Sequence, residues 1–267
     1  MHERERHRII LSSLQGRPFA GVGELVELTG ASEATVRRDI ATLALEKKLK
    51  RVRGGVEALN VSPYGAIVGR SFQATEAIRL RQKREIARAA AALCQDGEAV
   101  IINGGTTTYQ MVHHLVTRQL QVMTNSFLIA EHLIKQSKCA VLVPAGHVYR
   151  EQSLILSPFE ADGIAHFGAR RMFMGAQSVS ALGIGETDAL IVQSEQRLMR
   201  QAEELVLLVD SSKFKARSTM IVAPLERADV LVTDDEISDA AASFIEAAGV
   251  TLVVAERQKA EKEAGAA

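Results

Sequence analysis

From residue 99 onward the chain repeats one pattern that leaves few folds open to it. Short apolar runs ("AVII", "LQVMT", "CAVLVP", "RRMFMG", "ELVLLVD", "MIVAP", "VLVTD" and "VTLVV") alternate with segments of helical character such as "TTYQMVHHLV", "SFLIAEHLIKQ", "ALIVQSEQRLMRQA" and "DAASFIEAAG". Strand-like runs alternating with helical segments have the βαβ rhythm of an α/β domain, so a mostly parallel sheet is expected. In such sheets ligands sit beyond the carboxyl ends of the strands. The turns that follow the runs are therefore the places to seek function.

The first of these turns is "NGGTTTYQ", with Asn103, Gly104, Gly105, Thr106 and Thr107 leading into a helix-like stretch. Glycines admit close backbone approach, a helix start adds a positive dipole end, and hydroxyls add donors, which together suit an anion. A well-capped tight turn would use the same residues. "GGTTT" lacks the lysine of the GxxxxGK[ST] phosphate loop. Later turns carry Thr124, Asn125 and Ser126, then Gly146 beside His147, then Glu186 and Thr187, then Asp210 and Lys213. Lys213 supplies the positive charge that the first turn lacks. Asn125 and Ser126 serve equally well as helix caps, and His147 suits a surface loop.

The first sixty residues read differently. Ile9, Ile10 and Leu14, then Val22, Leu25, Val26 and Leu28, then Val36, Ile40, Leu43 and Leu45 form three helical stripes, the second closing at Gly30. Ser32 is a good helix N-cap. Two helices joined by a short glycine turn predict a helix-turn-helix over about residues 20–39. The alternation around Gly54-Gly55 predicts a hairpin wing. Ser32, Glu33, Thr35, Arg37 and Arg38 share the polar side of the third helix, from which they could reach base edges in a major groove; Lys50, Arg51 and Arg53 on the wing suit phosphates. Asp39, acidic in this company, is expected to orient an arginine.

Charge supports this division. The formal net charge is zero, yet residues 37–53 hold 7 basic against 2 acidic side chains. A basic stripe on a neutral chain suggests one anionic partner at one end, although charge runs are also common on solvated faces. No run of 18 apolar residues predicts a membrane span, and the charged start "MHERERHRII" lacks a signal core. Cys94 and Cys139 are isolated, with no CxxC, which favours a reducing cytoplasm over a disulfide scaffold. No cofactor or metal is expected.

"ASEATVRRDIATLALEKKLKRVRGGVEAL" resembles the helix-turn-helix and wing of the DeoR family of bacterial transcriptional regulators, through its "S-x-x-T-x-R-R-D" and "L-x-R-x-x-G-G" strings. In "ALEKKL", Lys47 or Lys48 stands where that family usually has glycine. "NGGTTTYQ", "TNS", "GETD" and "DSSKF" resemble, in order and at similar spacing, the family's C-terminal effector domain, so the resemblance covers nearly the whole chain. "SLILSP" and "SEQRLM" place it closest to the ascorbate-utilisation repressor branch. The resemblance implies a winged helix-turn-helix joined to a sugar-phosphate-sensing α/β domain similar in fold to ribose-5-phosphate isomerase, glucosamine-6-phosphate deaminase and CoA-transferase-like enzymes. It further implies sugar-phosphate contacts from Gly105, Thr106, Thr107, Asn125 and Lys213. Asn103 replaces the family's usual Asp, and Glu195 stands where Lys or Arg is usual and would read sugar hydroxyls.

The expected organisation is a DNA-binding domain over 1–59, a linker over 60–75, an effector domain over 76–257 opening on a helix from about Glu76 to Cys94, and a charged tail over 258–267. The expected partners are double-stranded operator DNA, a phosphorylated sugar or polyol, and further copies of the chain as a dimer or tetramer. The competing reading is a sugar-phosphate isomerase or deaminase with an appended DNA-binding module, for which Glu186, Glu195 and Asp210 offer a general base. A basic winged helix has no role in that reading, so regulation is favoured.

Overall fold

The computed structural model describes residues 2–14, 19–57, 72–157, 159 and 161–257. Most of the expected linker and the whole charged tail lie outside the described residues. The chain divides into two compact units, Met1–Ile78 and Arg79–Ala267.

In the first unit α1 (Glu3–Ser13), α2 (Val22–Thr29) and α3 (Glu33–Leu45) pack with a small antiparallel sheet of β1 (Phe19–Gly21), β2 (Lys50–Val52) and β3 (Gly55–Glu57), in the order β1-β3-β2. Most of the predicted stripes make its core: Ile10, Leu25, Val36, Ile40 and Leu43 are buried together with Leu49 and Val56, but Leu28 is 38% exposed and Leu45, at the last turn of α3 and off the face shared by Val36, Ile40 and Leu43, is 86% exposed. Gly30 stops α2 in the left-handed region at φ 61°, where a side chain would be strained. The wing closes through Arg53 and Gly54, with Val52 opposite Gly55. Lys47 takes φ 54° on the way from α3 to β2, the conformation that glycine would adopt without strain at this turn. Strand β1, absent from the sequence reading, pairs with β3 and completes the sheet. A short helix, α4 (Phe72–Glu76), covers the last residues of the range expected to be linker and runs one residue past it.

The second unit opens with α5 (Leu80–Ala91), shorter at both ends than the helix expected from Glu76 to Cys94. It begins directly after Arg79, which sits at φ 53°. Then follow β4 (Ala99–Ile102), α6 (Thr106–Tyr109), β5 (Gln121–Met123), α7 (Phe127–Gln136), β6 (Ala140–Leu142), β7 (His147–Tyr149), β8 (Leu154–Leu156), β9 (Ala169–Met174), β10 (Ser178–Ser180), β11 (Gly183–Glu186), α8 (Ala189–Met199), β12 (Ala202–Leu208), β13 (Met220–Ala223), β14 (Val230–Thr233), α9 (Asp239–Ala247) and β15 (Thr251–Val254). Seven strands form one sheet in the order β15-β14-β12-β9-β4-β5-β6, and every pair in it is parallel.

Burial follows the pleat. Val100, Ile102, Val122, Phe173, Val206, Leu208 and Val232 enter one core. Their neighbours Ile101, Met123, Met172, Met174, Leu205, Leu207 and Leu231 enter the core on the opposite face. Both faces being covered is why the strands read as unbroken apolar runs. "MIVAP" departs from the expectation: β13 pairs antiparallel with β11 in a separate sheet, β10-β11-β13, outside the parallel one. Its first two residues, Met220 and Ile221, are exposed at 37% and 39%, unlike the central parallel strands β4, β9 and β12, whose apolar residues are almost all buried.

Strand order also marks the switch point of the sheet. From β4 the chain steps outward through β5 to β6, then returns to the other side of β4 and steps outward again through β9, β12, β14 and β15. The direction reverses between β4 and β9, the switch point at which α/β sheets open a ligand crevice beyond their carboxyl ends.

Candidate functional site

Two regions carry the polar groups singled out from sequence. On the first unit, the Ser32 side chain caps α3 by accepting from the Thr35 backbone N–H at 3.3 Å, and its hydroxyl lies 2.9 Å from the Thr35 hydroxyl. Glu33 and Arg37 form an i,i+4 ion pair at 2.5 Å, with both side chains more than half exposed. Arg38, Arg51 and Arg53 are exposed, and Lys50 is bridged to Glu57 across the wing at 3.2 Å. Ser32, Glu33 and Thr35 are thus engaged within the helix start, while the arginine heads project from an exposed surface. Asp39 is buried and takes Nε and Nη2 of Arg6 at 2.7 and 3.0 Å, tying α3 to α1. Burial pushes the Asp39 carboxyl up, but the hydrogen bonds and charge of Arg6, with help from His7, hold it below its usual value. The arginine it orients therefore belongs to α1 and not to the recognition surface.

On the second unit the marked turns gather at the carboxyl edge of the parallel sheet. Asn103 leaves β4, and its backbone N–H donates to the Phe173 carbonyl of β9 at 2.9 Å, across the switch point. The Asn103 Nδ2 donates to Oε1 of Glu195 on α8 at 2.8 Å, and both side chains are buried. Among the described residues, Asn103 Oδ1 and Glu195 Oε2 have no hydrogen-bond partner. Glu195 is pushed well above the usual carboxylate range by burial and then by the charge of Glu186, against the Asn103 hydrogen bond. Glu186, the last residue of β11, is also raised, first by burial; Thr187 donates to it from N–H and hydroxyl at 2.7 and 3.0 Å, and the nearby Lys213 charge opposes the shift. Two buried carboxyls, an amide and a lysine thus converge at one edge.

The helix bearing Glu195 is firmly placed. Asp188 caps α8 through the N–H groups of Leu190 and Ile191. Arg197 pairs with buried Asp162 at 2.8 Å and donates to the Ser157 and Phe159 carbonyls.

Other marked residues serve as framework. Thr124 Oγ1 donates to the Ile102 carbonyl at 2.6 Å and accepts from the Ser126 N–H at 3.0 Å. Ser126 caps α7 through the Ile129 N–H. Asn125 Oδ1 accepts from the Gly104 N–H at 2.8 Å, and its Nδ2 lies 3.4 Å from the Ser194 hydroxyl on α8. The loop "NGGTTT" is thereby held between β5 and α8, but its helix, α6, is a single turn that tightens into a 3-10 helix over Gln110–His114, shorter than the sequence suggested. Gly105 is extended, at φ 173°, and a Cβ there would meet only the Thr108 hydroxyl at 3.2 Å. At Gly104 a Cβ would lie 2.0 Å from Leu154 Cδ2, and at Gly146 it would lie 2.5 Å from the Leu156 carbonyl oxygen. Close packing on β8 accounts for both of these glycines. His147 is exposed on β7.

Asp210 is likewise committed. It caps a 3-10 turn through Ser212 and pairs with Nε of Arg79 at 3.0 Å. Arg79 also reaches the Ser211 hydroxyl at 2.8 Å, Asp234 at 3.3 Å and Glu236 at 2.8 Å. Sequence reasoning missed Arg79, because "AIRLRQKRE" reads as the solvated face of a helix; nothing local marks one of its arginines for three carboxylates far along the chain.

A winged helix-turn-helix joined to a parallel α/β unit, with a polar site at the sheet's switch point, is the architecture of a DNA-binding regulator with a sensor domain. The chain belongs to the DeoR family of transcriptional regulators: residues 6–61 match the DeoR-like helix-turn-helix domain and residues 78–235 the DeoR C terminal sensor domain. It is 33% identical over 253 residues to the HTH-type transcriptional regulator UlaR of Shigella flexneri serotype 5b, covering 95% of this chain and 99% of that one. The UlaR protein of Escherichia coli O1:K1 is similar to the same extent, 33% over 253 residues with the same coverage. These relatives are named as regulators and not as enzymes. Among solved structures the chain is similar to ribose 5-phosphate isomerase A of Methanocaldococcus jannaschii, at 17% identity and TM-score 0.37, over 49% of this chain and about half (52%) of that one. It is also similar to eIF2B beta of Chaetomium thermophilum, at 13% identity and TM-score 0.40, over 57% and 48% of the two chains. No helix among the described residues is long and apolar enough to cross a membrane.

Proposed function

We propose that this regulator is a repressor of a carbohydrate or polyol catabolic operon whose hold on operator DNA is set by a phosphorylated sugar or polyol. The observation that carries the sensing half is the buried Asn103–Glu195 pair with one oxygen unpartnered on each side chain, because unpaired buried polar atoms are costly and mark where a polar ligand is received. The phosphate belongs to the Gly105–Thr107 turn and Lys213, and the carbon skeleton to Asn103, Glu195 and Glu186. Arg37 and Arg38 face base edges, and Lys50, Arg51 and Arg53 face phosphates, as the exposure of these side chains permits. The protein acts in the cytoplasm as a dimer or tetramer, because two recognition helices about one DNA turn apart, roughly 34 Å, read a palindromic operator. The carboxylates serve ligand recognition, since the relatives named above are regulators.

A ligand shifts such an equilibrium only if it binds the DNA-free and DNA-bound forms unequally. The test is a mobility-shift titration of the full chain on its own promoter region with and without a set of phosphorylated sugars and their free counterparts. Release, or tightening, by a phosphorylated compound but not by its free sugar is expected. Failure of every phosphorylated compound to change operator affinity would refute the proposal.

A further inference from the structure

We infer that Arg79 is a conformational switch at the point where the chain arrives from the DNA-binding unit: the turn that carries Lys213 helps hold it in a left-handed conformation, and its release lets α5 grow back by one turn toward Glu76. The link to Lys213 rests on the sensing role proposed above; the switch itself does not.

Arg79 is the first residue of the second unit and the N-cap of α5, at φ 53° and ψ 38°. L-residues avoid that region, and a non-glycine residue stays there only where its surroundings hold it. Nothing in the local sequence calls for such a break. Glu76 to Cys94 contains no glycine, proline, serine, threonine, asparagine or aspartate, and its alanine, leucine, arginine, lysine, glutamine and glutamate residues are strong helix formers. By local preference the helix begins near Glu76. In the structure residues 77–79 lie outside any helix, with Ala77 and Ile78 exposed.

The hold on Arg79 comes from far along the chain. Its guanidinium meets Asp210 at 3.0 Å, Ser211 at 2.8 Å, Asp234 at 3.3 Å and Glu236 at 2.8 Å. Asp210 and Ser211 open the 3-10 turn that contains Lys213. The Asp210 side chain accepts from the Ser212 N–H, and its carbonyl accepts from the Lys213 N–H at 2.9 Å. The Ser211 N–H donates to Asp234 at 2.7 Å. Asp210 therefore ties Arg79 directly to the turn whose lysine charge acts on Glu186 at the sheet edge. An anion that draws Lys213 shifts the same residues that grip Arg79. Two arrangements of the junction then compete, one favoured by the ion pairs and one by helix propensity. A ligand biases them to the extent that it binds them unequally.

The deciding comparison is Arg79→Ala with Arg79→Gly in the full chain. Both remove the same ion pairs, but alanine prefers the right-handed helix and glycine takes the left-handed conformation without strain. The N–H groups of Leu80, Arg81 and Gln82 open α5 and so have no intrahelical acceptor; in the lengthened helix they would donate to the carbonyls of Glu76, Ala77 and Ile78. These three amides should exchange about tenfold more slowly in Arg79→Ala than in Arg79→Gly. The two variants should also differ about fivefold or more in affinity for the protein's own promoter region. Where the single variants are too unstable, Asp234→Asn is added to both, which removes the buried charge left unpaired. Equal exchange, or equal operator affinity, in the two variants overturns the switch. A phosphorylated sugar that changes the operator affinity of the unaltered chain should no longer do so in Arg79→Ala, and an undiminished effect there overturns the link to the Lys213 turn. If no phosphorylated compound acts on the unaltered chain, the sensing proposal falls and takes that link with it, while the alanine–glycine comparison still decides the switch.

Discussion

Replacing Arg79 by Ala should destabilise the second unit by about 3 kcal/mol, the low end of what is lost when a buried ion pair is broken by removing one partner. The guanidinium serves Asp210 and Asp234, whose side chains are 3% and 0% exposed, and also the half-exposed Glu236. Its own pKa is lowered by burial but raised more by Glu236, Asp210 and Asp234, so it stays charged throughout. The low end applies because each buried aspartate keeps other donors. Asp210 retains the N–H and hydroxyl of Ser212, and Asp234 retains the N–H groups of Ser211 and Glu236. The Glu236 contact adds little, since exposed pairs contribute roughly 0–1 kcal/mol. In a unit of this size 3 kcal/mol lowers Tm by about 6–12 °C, which scanning calorimetry of the full chain would register. Arg79→Lys should recover only part of the loss, because an ammonium cannot span several acceptors as a planar fork does. Adding Asp234→Asn to Arg79→Ala should return at least about 1 kcal/mol by removing an uncompensated buried charge. A loss under about 1 kcal/mol in Arg79→Ala, or a double variant whose losses simply add, would refute the reasoning.

Three further outcomes follow from the same geometry. Arg38→Ala should weaken operator binding by about 1–3 kcal/mol, and Arg51→Ala or Arg53→Ala should each reduce the slope of log affinity against log salt by about 1; mobility shifts over a salt series check both, and unchanged slopes would remove the wing from the DNA. Glu195→Gln should be more stable than the unaltered chain above the ordinary carboxylate pKa: burial and Glu186 raise the folded pKa, so the folded state holds its proton longer and loses stability as pH rises from the unfolded pKa toward the folded one. Tm measured against pH should therefore diverge upward for the variant and converge at acid pH, and parallel curves would count against the raised pKa. Gly146→Ala should cost about 1–3 kcal/mol, because its Cβ would lie 2.5 Å from a backbone oxygen, whereas Gly105→Ala, in extended backbone, should change denaturant midpoints little.

What the sequence determines here is whatever depends on neighbours along the chain. The apolar runs from Ala99 and the helical stripes around Leu25 and Ile40 announce a parallel sheet and a helix-turn-helix, because pleat and helix periods are local properties. The glycine and hydroxyl turns after Ile102 and Met123 announce strand ends for the same reason. Ser32, Ser126 and Asp188 cap the helices that follow them, and each acts within three residues of itself.

Only the tertiary structure decides which of those turns meet, and it does so through strand order. Asn103, at the end of β4, and Glu195, on α8, stand 92 residues apart and are joined only in the folded unit. Arg79 and Glu236 stand 157 residues apart and are joined because α5 begins beside the ends of β12 and β14. The antiparallel placement of β13, the packing demand at Gly146 and the mutual pressure of Glu186 on Glu195 likewise arise from contacts distant in sequence. A side chain's local spacing tells which face it shares with its neighbours; the partner across the crevice, and hence its charge and chemistry, exists only once the sheet is assembled.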